Sequence, residues 1–491
     1  MQARRFILSL WLSSALPLGA AAESTVTLWP AQGATAVPPD THLTLQFTDE
    51  PVVGTSGLIR IYDAADGKLV DTLDLSIPTS PNPSGRTAPN GASAAVPSGP
   101  YQVTIIDGNE FHFRPIIVRG SQATIYPHHN RLEHGHAYEV TMDASVLQPP
   151  ARDFAGFSRD APWTFTTRTT PPAADARRVT VAADGSGDFS TVQGAIDWLP
   201  ARPAERTTIL IQRGRYEEIV SLNKRSNLTL RGVDREGVVV GYANNTPFNP
   251  GRRWAFSIID GTDIQLSNFT INNYAVGQAE ALMVRGQRNI VDHMTLNGSG
   301  DALTTYGTLY FADSKLTGHG DTVLGYAAAF FVRSEIHSIG PFTWTRTPRG
   351  QHGNVFVDCS LIAIDAPLPW TVTPTDAGRK VDAVLARLPR NGSATATSTN
   401  FPFAEMVLID VKTHGVPPAG WGPVEEPPGF DSSNVRFFEH NTTDMAGRPV
   451  DVSRRHPIAR QLTLPGDADT IANYRRPEYV LGGWKPVVEP P

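Results

Sequence analysis

Two aspartates, each preceded by a glycine, are the side chains best placed to do chemistry in this sequence. Asp301 and Asp321 are 20 residues apart, and Gln278 lies 23 residues before Asp301. If one coil of a repetitive β-structure takes about 20–25 residues, these three side chains lie on successive coils. Neighbouring parallel strands are about 4.8 Å apart, so we expect the three polar groups to stack on one face.

Stacked carboxyl groups favour a division of roles. Two carboxylates this close cannot both ionise cheaply, so one pKa rises while a nearby cation holds the other group ionised. An ionised aspartate can attack an ester carbonyl, and a protonated one can give its proton to the departing alcohol. An amide such as that of Gln278 would stabilise the negative oxygen of the intermediate. The pair therefore suits ester cleavage, although a single Gly-Asp usually makes only a turn.

Repeated short strands are the elements that must position these residues. Aliphatic stretches such as 228–230, 264–266 and 355–357 recur at intervals of about 20 or more residues from residue 178 onward. Without convincing helices between them, they predict a parallel β-helix; strands of a second β-sandwich would recur every 8–12 residues or so. One helix is expected to cover the open end, with Ser190 as its N-cap and a stop at Pro200.

The earlier part of the chain predicts a different β-domain. Alternating stretches at 43–47, 138–142 and 163–167 are separated by turn residues, which is typical of a β-sandwich. The stretch 29–38 resembles the immunoglobulin-like modules that bacteria place beside secreted enzymes. We expect a signal peptide at 1–22, this module at 23–168, a linker at 169–177 and the β-helix at 178–491. Four histidines could suggest a metal, but we favour a solvated turn; they are His128, His129, His134 and His136.

Composition and targeting signals limit the function. Lys+Arg 42 against Asp+Glu 48 gives a net charge of only −6, which argues against a nucleic-acid partner. Gly 42 and Pro 41 favour a strand-rich and turn-rich protein. Two arginines, an apolar run and Ala20-Ala21-Ala22 predict export and a secreted or periplasmic protein, with no later membrane span. The single cysteine, Cys359, excludes an intramolecular disulfide, and we expect it in a strand and buried.

The chain from about 179 to 486 resembles the pectin methylesterase family of carbohydrate esterases. The resemblance begins with the segments VTVAADGSGDFSTVQ at 179–193 and ILIQRGRYEE at 209–218. It implies a right-handed parallel β-helix, no metal or cofactor, and methyl-esterified pectin as the substrate. By motif, Asp321 falls on the family's nucleophile, Asp301 on its general acid/base and Gln278 on its oxyanion glutamine.

Two further family positions have partners in this sequence. Arg387, in Leu385-Ala386-Arg387, matches a catalytic arginine that would hydrogen-bond Asp321 and keep it ionised. Trp421 matches a tryptophan whose indole lies in the sugar groove, with core packing as the alternative.

The sequence also departs from the family pattern. Gly300 stands where the family has a second oxyanion glutamine, and several groove aromatics are missing. Losing one such donor can cost a factor of about 10²–10³ in rate unless another group replaces it. Tyr306 and Tyr326 are expected to compensate partly for the aromatics as substrate-binding residues. A β-helix that binds pectic oligosaccharide without turnover, or an esterase with an altered substrate, remains the alternative; a lyase or polygalacturonase is weaker, because fold alone never fixes chemistry.

Overall fold

The computed structural model describes residues 26–85, 99–149, 154–173, 175–372, 382–387, 401–422 and 431–490. The expected signal peptide therefore lies outside the described residues. No helix in the described part of the chain is long and apolar enough to cross a membrane.

Antiparallel strands make up the first part of the chain. They are β1 (Thr27–Trp29), β2 (Ala34–Val37), β3 (Leu43–Gln46), β4 (Val52–Val53), β5 (Leu58–Asp63), β6 (Leu69–Asp74), β7 (Val103–Ile106), β8 (Asn109–His112), β9 (Ile116–Arg119), β10 (Gln122–Ile125), β11 (Ala137–Met142), β12 (Leu147–Gln148) and β13 (Trp163–Thr167). One sheet has the order β1-β3-β10-β9 and a second has the order β2-β13-β11-β5-β6. All of their pairings are antiparallel except that of β2 with β13.

Both sheets contribute to one apolar core. Leu43 and Leu45 of the first sheet and Val140 and Trp163 of the second belong to the same buried cluster. The alternation in β3 and β13 places every second side chain in this core, as the sequence pattern predicts. The arrangement fits the expected β-sandwich, while its immunoglobulin-like character and the domain limits stay predictions.

Parallel strands make up the part from residue 178 onward. They are β14 (Arg178–Val181), β15 (Thr207–Ile211), β16 (Gly214–Glu217), β17 (Val220–Asn223), β18 (Ser226–Gly232), β19 (Val238–Tyr242), β20 (Phe256–Ser267), β21 (Thr270–Asn273), β22 (Leu282–Asp292), β23 (Thr295–Asn297), β24 (Leu303–Ala312), β25 (Lys315–Gly318), β26 (Val323–Gly325), β27 (Ala328–Val332), β28 (Glu335–Ser338), β29 (Thr343–Thr345), β30 (Asn354–Val357), β31 (Ser360–Ala363), β32 (Glu405–Ile409), β33 (Lys412–His414), β34 (Arg436–His440) and β35 (Ala459–Gln461). The helices are α1 (Val192–Trp198), α2 (Ala468–Tyr474) and α3 (Pro477–Val480).

These strands stack in chain order. One parallel sheet runs β14-β15-β18-β20-β22-β24-β27-β30-β32-β34-β35, and another runs β16-β19-β21-β23-β25-β28-β31-β33. The coils from β15 to β33 contribute a strand to each sheet, so the predicted parallel β-helix is confirmed. Equivalent inward side chains stack in the core: the ring of Phe331 lies 5.1 Å from that of Phe311 and 4.5 Å from that of Phe356. The aliphatic repeats of the sequence are these stacked positions.

A recurring left-handed residue turns the chain from one sheet into the other. Asn268, His293, Asp313, Arg333 and Asp358 all have φ between 47° and 61°, each between a strand of the first sheet and one of the second. Asn and Asp tolerate this region better than most residues. Cys359 follows this turn rather than lying in a strand; it is buried as expected, and burial raises the pKa of its thiol to about 12.

Helix α1 covers the first coils, but it begins one residue later than the sequence suggests. The N-cap is Thr191, not Ser190, because the Thr191 hydroxyl accepts the backbone N–H of Gly194 at 3.0 Å. Asp40 of the first domain accepts the N–H groups of Ser190 and Thr191 at 2.9 and 2.7 Å. At the other end, Arg225 donates to two carbonyls of the helix terminus.

Asp40 and Arg225 also connect the β-sandwich to the β-helix. Arg225 also forms a two-point ion pair with Asp107 of the first domain, at 2.9 and 3.1 Å. Both ends of α1 are thus bound by polar groups that bridge the two parts of the chain. A carboxylate at a helix N-terminus and a guanidinium at its C-terminus also match the helix dipole.

We expect Asp40→Ala to lower the thermal midpoint by about 2–6 °C, because it removes the acceptor of three hydrogen bonds at the start of α1. Differential scanning calorimetry measures this shift. The matched control is Asp184→Ala, an exposed aspartate that bonds only within its own turn, to Ser186. Equal effects of the two changes would contradict the docking role of Asp40.

Candidate active site

Three acidic residues occupy one position on three successive coils. Leu282 pairs with Leu303, and Leu303 pairs with Val323. Two residues before these lie Glu280, Asp301 and Asp321. The backbone N–H of Asp301 bonds the carbonyl of Gly320 at 3.0 Å, which fixes the two aspartates on adjacent coils. The expected stack therefore exists, with Glu280 rather than Gln278 as its first member.

Both aspartates are held in left-handed backbone conformations. The φ angles are 57° at Asp301 and 43° at Asp321, and Gly320 before the second has φ of 121°. Such conformations persist only where the surrounding structure enforces them, and they are common at functional sites. At Gly300 a Cβ would lie only 2.7 Å from the carbonyl oxygen of Gly277. The backbone of the preceding coil thus leaves no room for a side chain at position 300.

Asp321 accepts a hydrogen bond on one carboxylate oxygen and none from the described residues on the other. Arg387 donates from Nη1 to its Oδ2 at 2.6 Å. Its Oδ1 is buried and has no hydrogen-bond partner among the described residues. Burial raises the pKa of Asp321, and the charges of Arg387 and Arg346 oppose that rise. No hydrogen bond from a described residue therefore occupies the lone pairs of this oxygen.

Asp301 is a buried carboxyl group with a raised pKa. Burial raises its pKa to about 6, Arg253 opposes the rise, and the charge of Asp321 adds to it. Arg253 donates from Nη2 to Asp301 Oδ2 at 2.8 Å. A carboxyl group with this pKa can both give and accept a proton near neutral pH.

Glu280 is the site residue that the sequence reasoning missed. It is 1% exposed, and it accepts Arg253 Nε at 2.6 Å and the Thr304 hydroxyl at 3.0 Å. Burial raises its pKa to about 7. A charged residue within the apolar stretch Ala279-Glu280-Ala281-Leu282, 21 residues before Asp301, was the available signal. That spacing fits the coil better than the 23 residues from Gln278.

Aromatic side chains and one further cation lie beside the acids. The rings of Tyr306 and Tyr326 stack at 5.2 Å with an interplanar angle of 17°. The guanidinium of Arg346 lies 5.8 Å from the centre of the Tyr326 ring and 4.0 Å from that of Trp344. The guanidinium of Arg387 lies 4.1 Å from the centre of the same Trp344 ring. The two tyrosines are half-buried, so their outer parts are accessible to a ligand.

Gln278 and Trp421 differ in their surroundings, and the Gln278 backbone lies beside Gly300, where an added Cβ would be 3.8 Å from its Cα. Gln278 is exposed, and its side-chain oxygen accepts the Thr246 hydroxyl at 3.1 Å. Trp421 is 1% exposed, stacks on Phe437 at 4.7 Å and donates its indole N–H to Glu439 at 2.9 Å. This burial corrects the expectation of a groove-lining indole, because the ring is enclosed in the β-helix core.

The histidines of the first domain have separate partners. His128 bonds Asp71, His129 bonds Asp197, His136 bonds Asp63, and His134 bonds the carbonyl of Arg168. Among the described residues one group, Asp292, His293 and Asp313, is close enough to hold a metal ion. Its Asp313 already makes a two-point ion pair with Arg333. His293 and Asp313 belong to the left-handed residues that turn the chain between the two sheets, called the turn ladder below, and not to the acidic cluster.

Comparison with known proteins fits this geometry. The family model described as Pectinesterase matches residues 178–354. This part of the chain is thus similar to the pectinesterase family. Pectinesterase 31 of Arabidopsis thaliana is 31% identical over 209 residues, which cover 38% of this chain and 66% of the relative. A pectinesterase of Ralstonia nicotianae is 26% identical, over 54% of this chain and 78% of its own length.

Solved pectin methylesterases share the fold. PemA of Erwinia chrysanthemi aligns with a TM-score of 0.51 and 23% identity, over 63% of this chain and 98% of the other. The carrot enzyme aligns with a TM-score of 0.51 and 21% identity, over 65% of this chain and 95% of the other. The chain spans 49% to 66% of the length of the first three curated relatives that it matches.

We expect Trp421→Phe to lower the thermal midpoint by about 2–6 °C, because the buried Glu439 loses a hydrogen-bond donor while the ring stacking is kept. Thermal unfolding followed by circular dichroism measures this. Unchanged stability together with weakened binding of pectic oligosaccharide would instead place the indole in a sugar groove.

Proposed function

We propose that this chain hydrolyses methyl esters of galacturonate units in pectin, releasing methanol and leaving de-esterified pectate. The observation that carries the proposal is the pair Asp301 and Asp321 on adjacent coils, with Arg387 bound to Asp321. The pectinesterase domain and the fold shared with pectin methylesterases support it.

The first half of the reaction forms an acyl-enzyme. The ionised Asp321 attacks the ester carbonyl carbon through Oδ1, the oxygen that has no donor. As the tetrahedral intermediate collapses, the C–O bond to the methoxy group breaks and Asp301 gives its proton to that oxygen. Methanol leaves, and the galacturonyl group is held on Asp321 as an anhydride.

The second half restores the enzyme. Asp301, now ionised, takes a proton from a water molecule as that water attacks the acyl carbon. The bond to Asp321 breaks and leaves Asp321 as a carboxylate. The product departs as galacturonic acid and gives its remaining proton to solvent, and Asp301 is again protonated. Arg387 keeps Asp321 ionised and oriented through the 2.6 Å bond, so that the carboxylate is a competent leaving group and nucleophile.

Substrate contacts are assigned from the accessible side chains. Gln278 is proposed to donate its amide N–H to the negative oxygen of both intermediates. The stacked Tyr306 and Tyr326 offer an apolar face for a sugar ring beside the acids. Nothing in this mechanism requires a cofactor. We also propose that the protein is exported, since its substrate is a cell-wall polysaccharide and the N-terminal sequence has a signal-peptide pattern.

The absence of a side chain at Gly300 is the observation that favours the alternatives, an altered ester substrate or binding without turnover. Measuring oligosaccharide binding and methanol release together distinguishes these two alternatives. Binding without methanol release would support the binding reading, whereas release from a different methyl-esterified uronan would support the altered substrate.

We expect Asp321→Asn to abolish methanol release from highly methylated pectin, because an amide does not attack the ester. Released methanol is measured with alcohol oxidase. The matched control is Asp358→Asn, an exposed aspartate with φ of 53° in the turn ladder, which should retain full activity. Near-full activity of Asp321→Asn would contradict the assignment of the nucleophile.

Asp301→Asn is expected to lower kcat by about 10²–10⁴ because the leaving methanol loses its proton donor, while the fold is retained. Steady-state kinetics and a melting curve of the same preparation test both parts. A collapse of the melting temperature with little change in kcat would mark Asp301 as structural.

A further inference from the structure

We propose that Arg253 and Glu280 are positioning residues for Asp301: Glu280 holds the guanidinium of Arg253 against Asp301 and, by sharing its charge, sets how firmly Asp301 keeps its proton. This role rests on the esterase function proposed above. It assigns a part in the reaction to two residues that the motif comparison in the sequence did not single out.

The geometry of Arg253 connects two coils. Its Nε donates to Glu280 Oε1 at 2.6 Å, and its Nη2 donates to Asp301 Oδ2 at 2.8 Å. A guanidinium presents its N–H groups in one rigid plane, so fixing one edge on Glu280 fixes the direction of the other edge toward Asp301. The backbone carbonyl of Arg253 is itself held by the amide of Asn273 at 3.2 Å.

Burial makes this contact strong and exclusive. Glu280 is 1% exposed, Asp301 is 7% exposed, and the Arg253 side chain is 20% exposed. Among the described residues, Arg253 is the one cation within ion-pair distance of either acid. Glu280 Oε2 is buried and has no hydrogen-bond partner in the described part of the chain. An acid placed this deeply next to a catalytic acid has no evident role in packing alone.

The charges around Asp301 determine whether Glu280 raises or lowers the pKa of Asp301. The groups that face it are Arg253, Arg346, Arg387, Asp321 and, through Arg253, Glu280. When Glu280 is ionised, it neutralises much of the Arg253 charge, and Asp301 keeps its proton more firmly. When Glu280 is neutral, Arg253 acts fully on Asp301 and favours its ionised form. The pKa values of about 7 for Glu280 and about 6 for Asp301 place this exchange near neutral pH, as a coupled titration.

The proposed reaction needs an arginine whose charge is partly neutralised by a second acid, as that of Arg253 is by Glu280. Asp301 must be protonated when methanol leaves and ionised when water attacks. An unopposed arginine would hold Asp301 ionised and remove the general acid, while an apolar neighbour would hold it protonated and remove the general base. A guanidinium shared between two acids avoids both extremes.

Substitutions of the two residues should shift the pH profile in opposite directions. Asp301 protonation sets the basic limb of kcat/KM, the side on which activity falls as pH rises. Glu280 carries its charge mainly above its pKa of about 7. In Glu280→Gln the charge of Arg253 is unopposed there, so the part of the basic limb above that pH moves to lower pH. In Arg253→Gln the pKa of Asp301 rises, so this limb moves to higher pH, and kcat falls by about tenfold or more with little change in KM. Arg253→Lys keeps the charge and should restore part of the lost activity.

The matched control is Arg288→Gln, which breaks an exposed two-point pair with Asp263 between adjacent coils and should leave the pH profile unchanged. Shifts of both test variants in the same direction, or losses of thermal stability with unmoved limbs, would overturn the proposal.

A readout that does not depend on turnover separates this inference from the function itself. Infrared difference spectra follow protonated carboxyl groups during a pH titration, and Asp301→Asn assigns the band of Asp301. The midpoint of that band should fall in Glu280→Gln and rise in Arg253→Gln. If the wild type releases no methanol, the proposed function fails; opposite shifts of the band would still show the charge sharing, and an unmoved band would refute it.

Discussion

The fixed register between parallel coils is the constraint on which this structure depends. Each coil repeats the backbone path of the last at the spacing of neighbouring strands, about 4.8 Å, so residues at equivalent positions are forced into ladders. In the core this stacks Phe311, Phe331 and Phe356 and stabilises the solenoid. At the site it stacks Glu280, Asp301 and Asp321, which would repel one another if all were ionised. Arginines from outside the ladder, Arg253 and Arg387, offset that repulsion and give each acid a distinct environment.

The ladder also explains why the end of the solenoid needs separate treatment. The first coil has no preceding coil to cover it, and α1 supplies the apolar side chains that close it. The helix is short, so its unpaired backbone groups need partners at both ends. Asp40 and Arg225 provide them, and both residues also join the β-helix to the first domain. The first domain therefore completes the closure of the solenoid as well as standing beside it.

Sequence reasoning succeeded where periodicity carried the information. The coil repeat predicted the parallel β-helix and brought Asp301 and Asp321 together, and the motif around Arg387 pointed to its contact with Asp321. It failed where a contact is set by loop geometry: Arg253 lies 48 residues before Asp301 and outside any strand. It also failed where the burial of a side chain determines its role. Trp421 matches a groove motif, but its ring stacks on Phe437 inside the core. The N-cap at Thr191 instead of Ser190 is a one-residue boundary error of the kind that caps commonly produce.

Gly300 and Arg253 together determine what surrounds Asp301. Gly300 has no side chain because the carbonyl of Gly277 approaches within the space of a Cβ. Residue 300 therefore offers Asp301 no side-chain donor, and Arg253 donates to it from a preceding coil. A charged donor alone would hold Asp301 ionised, so a second acid is needed to share the charge of Arg253. Glu280 is that acid, which is why a buried glutamate occupies a ladder position where an apolar residue would pack at lower cost.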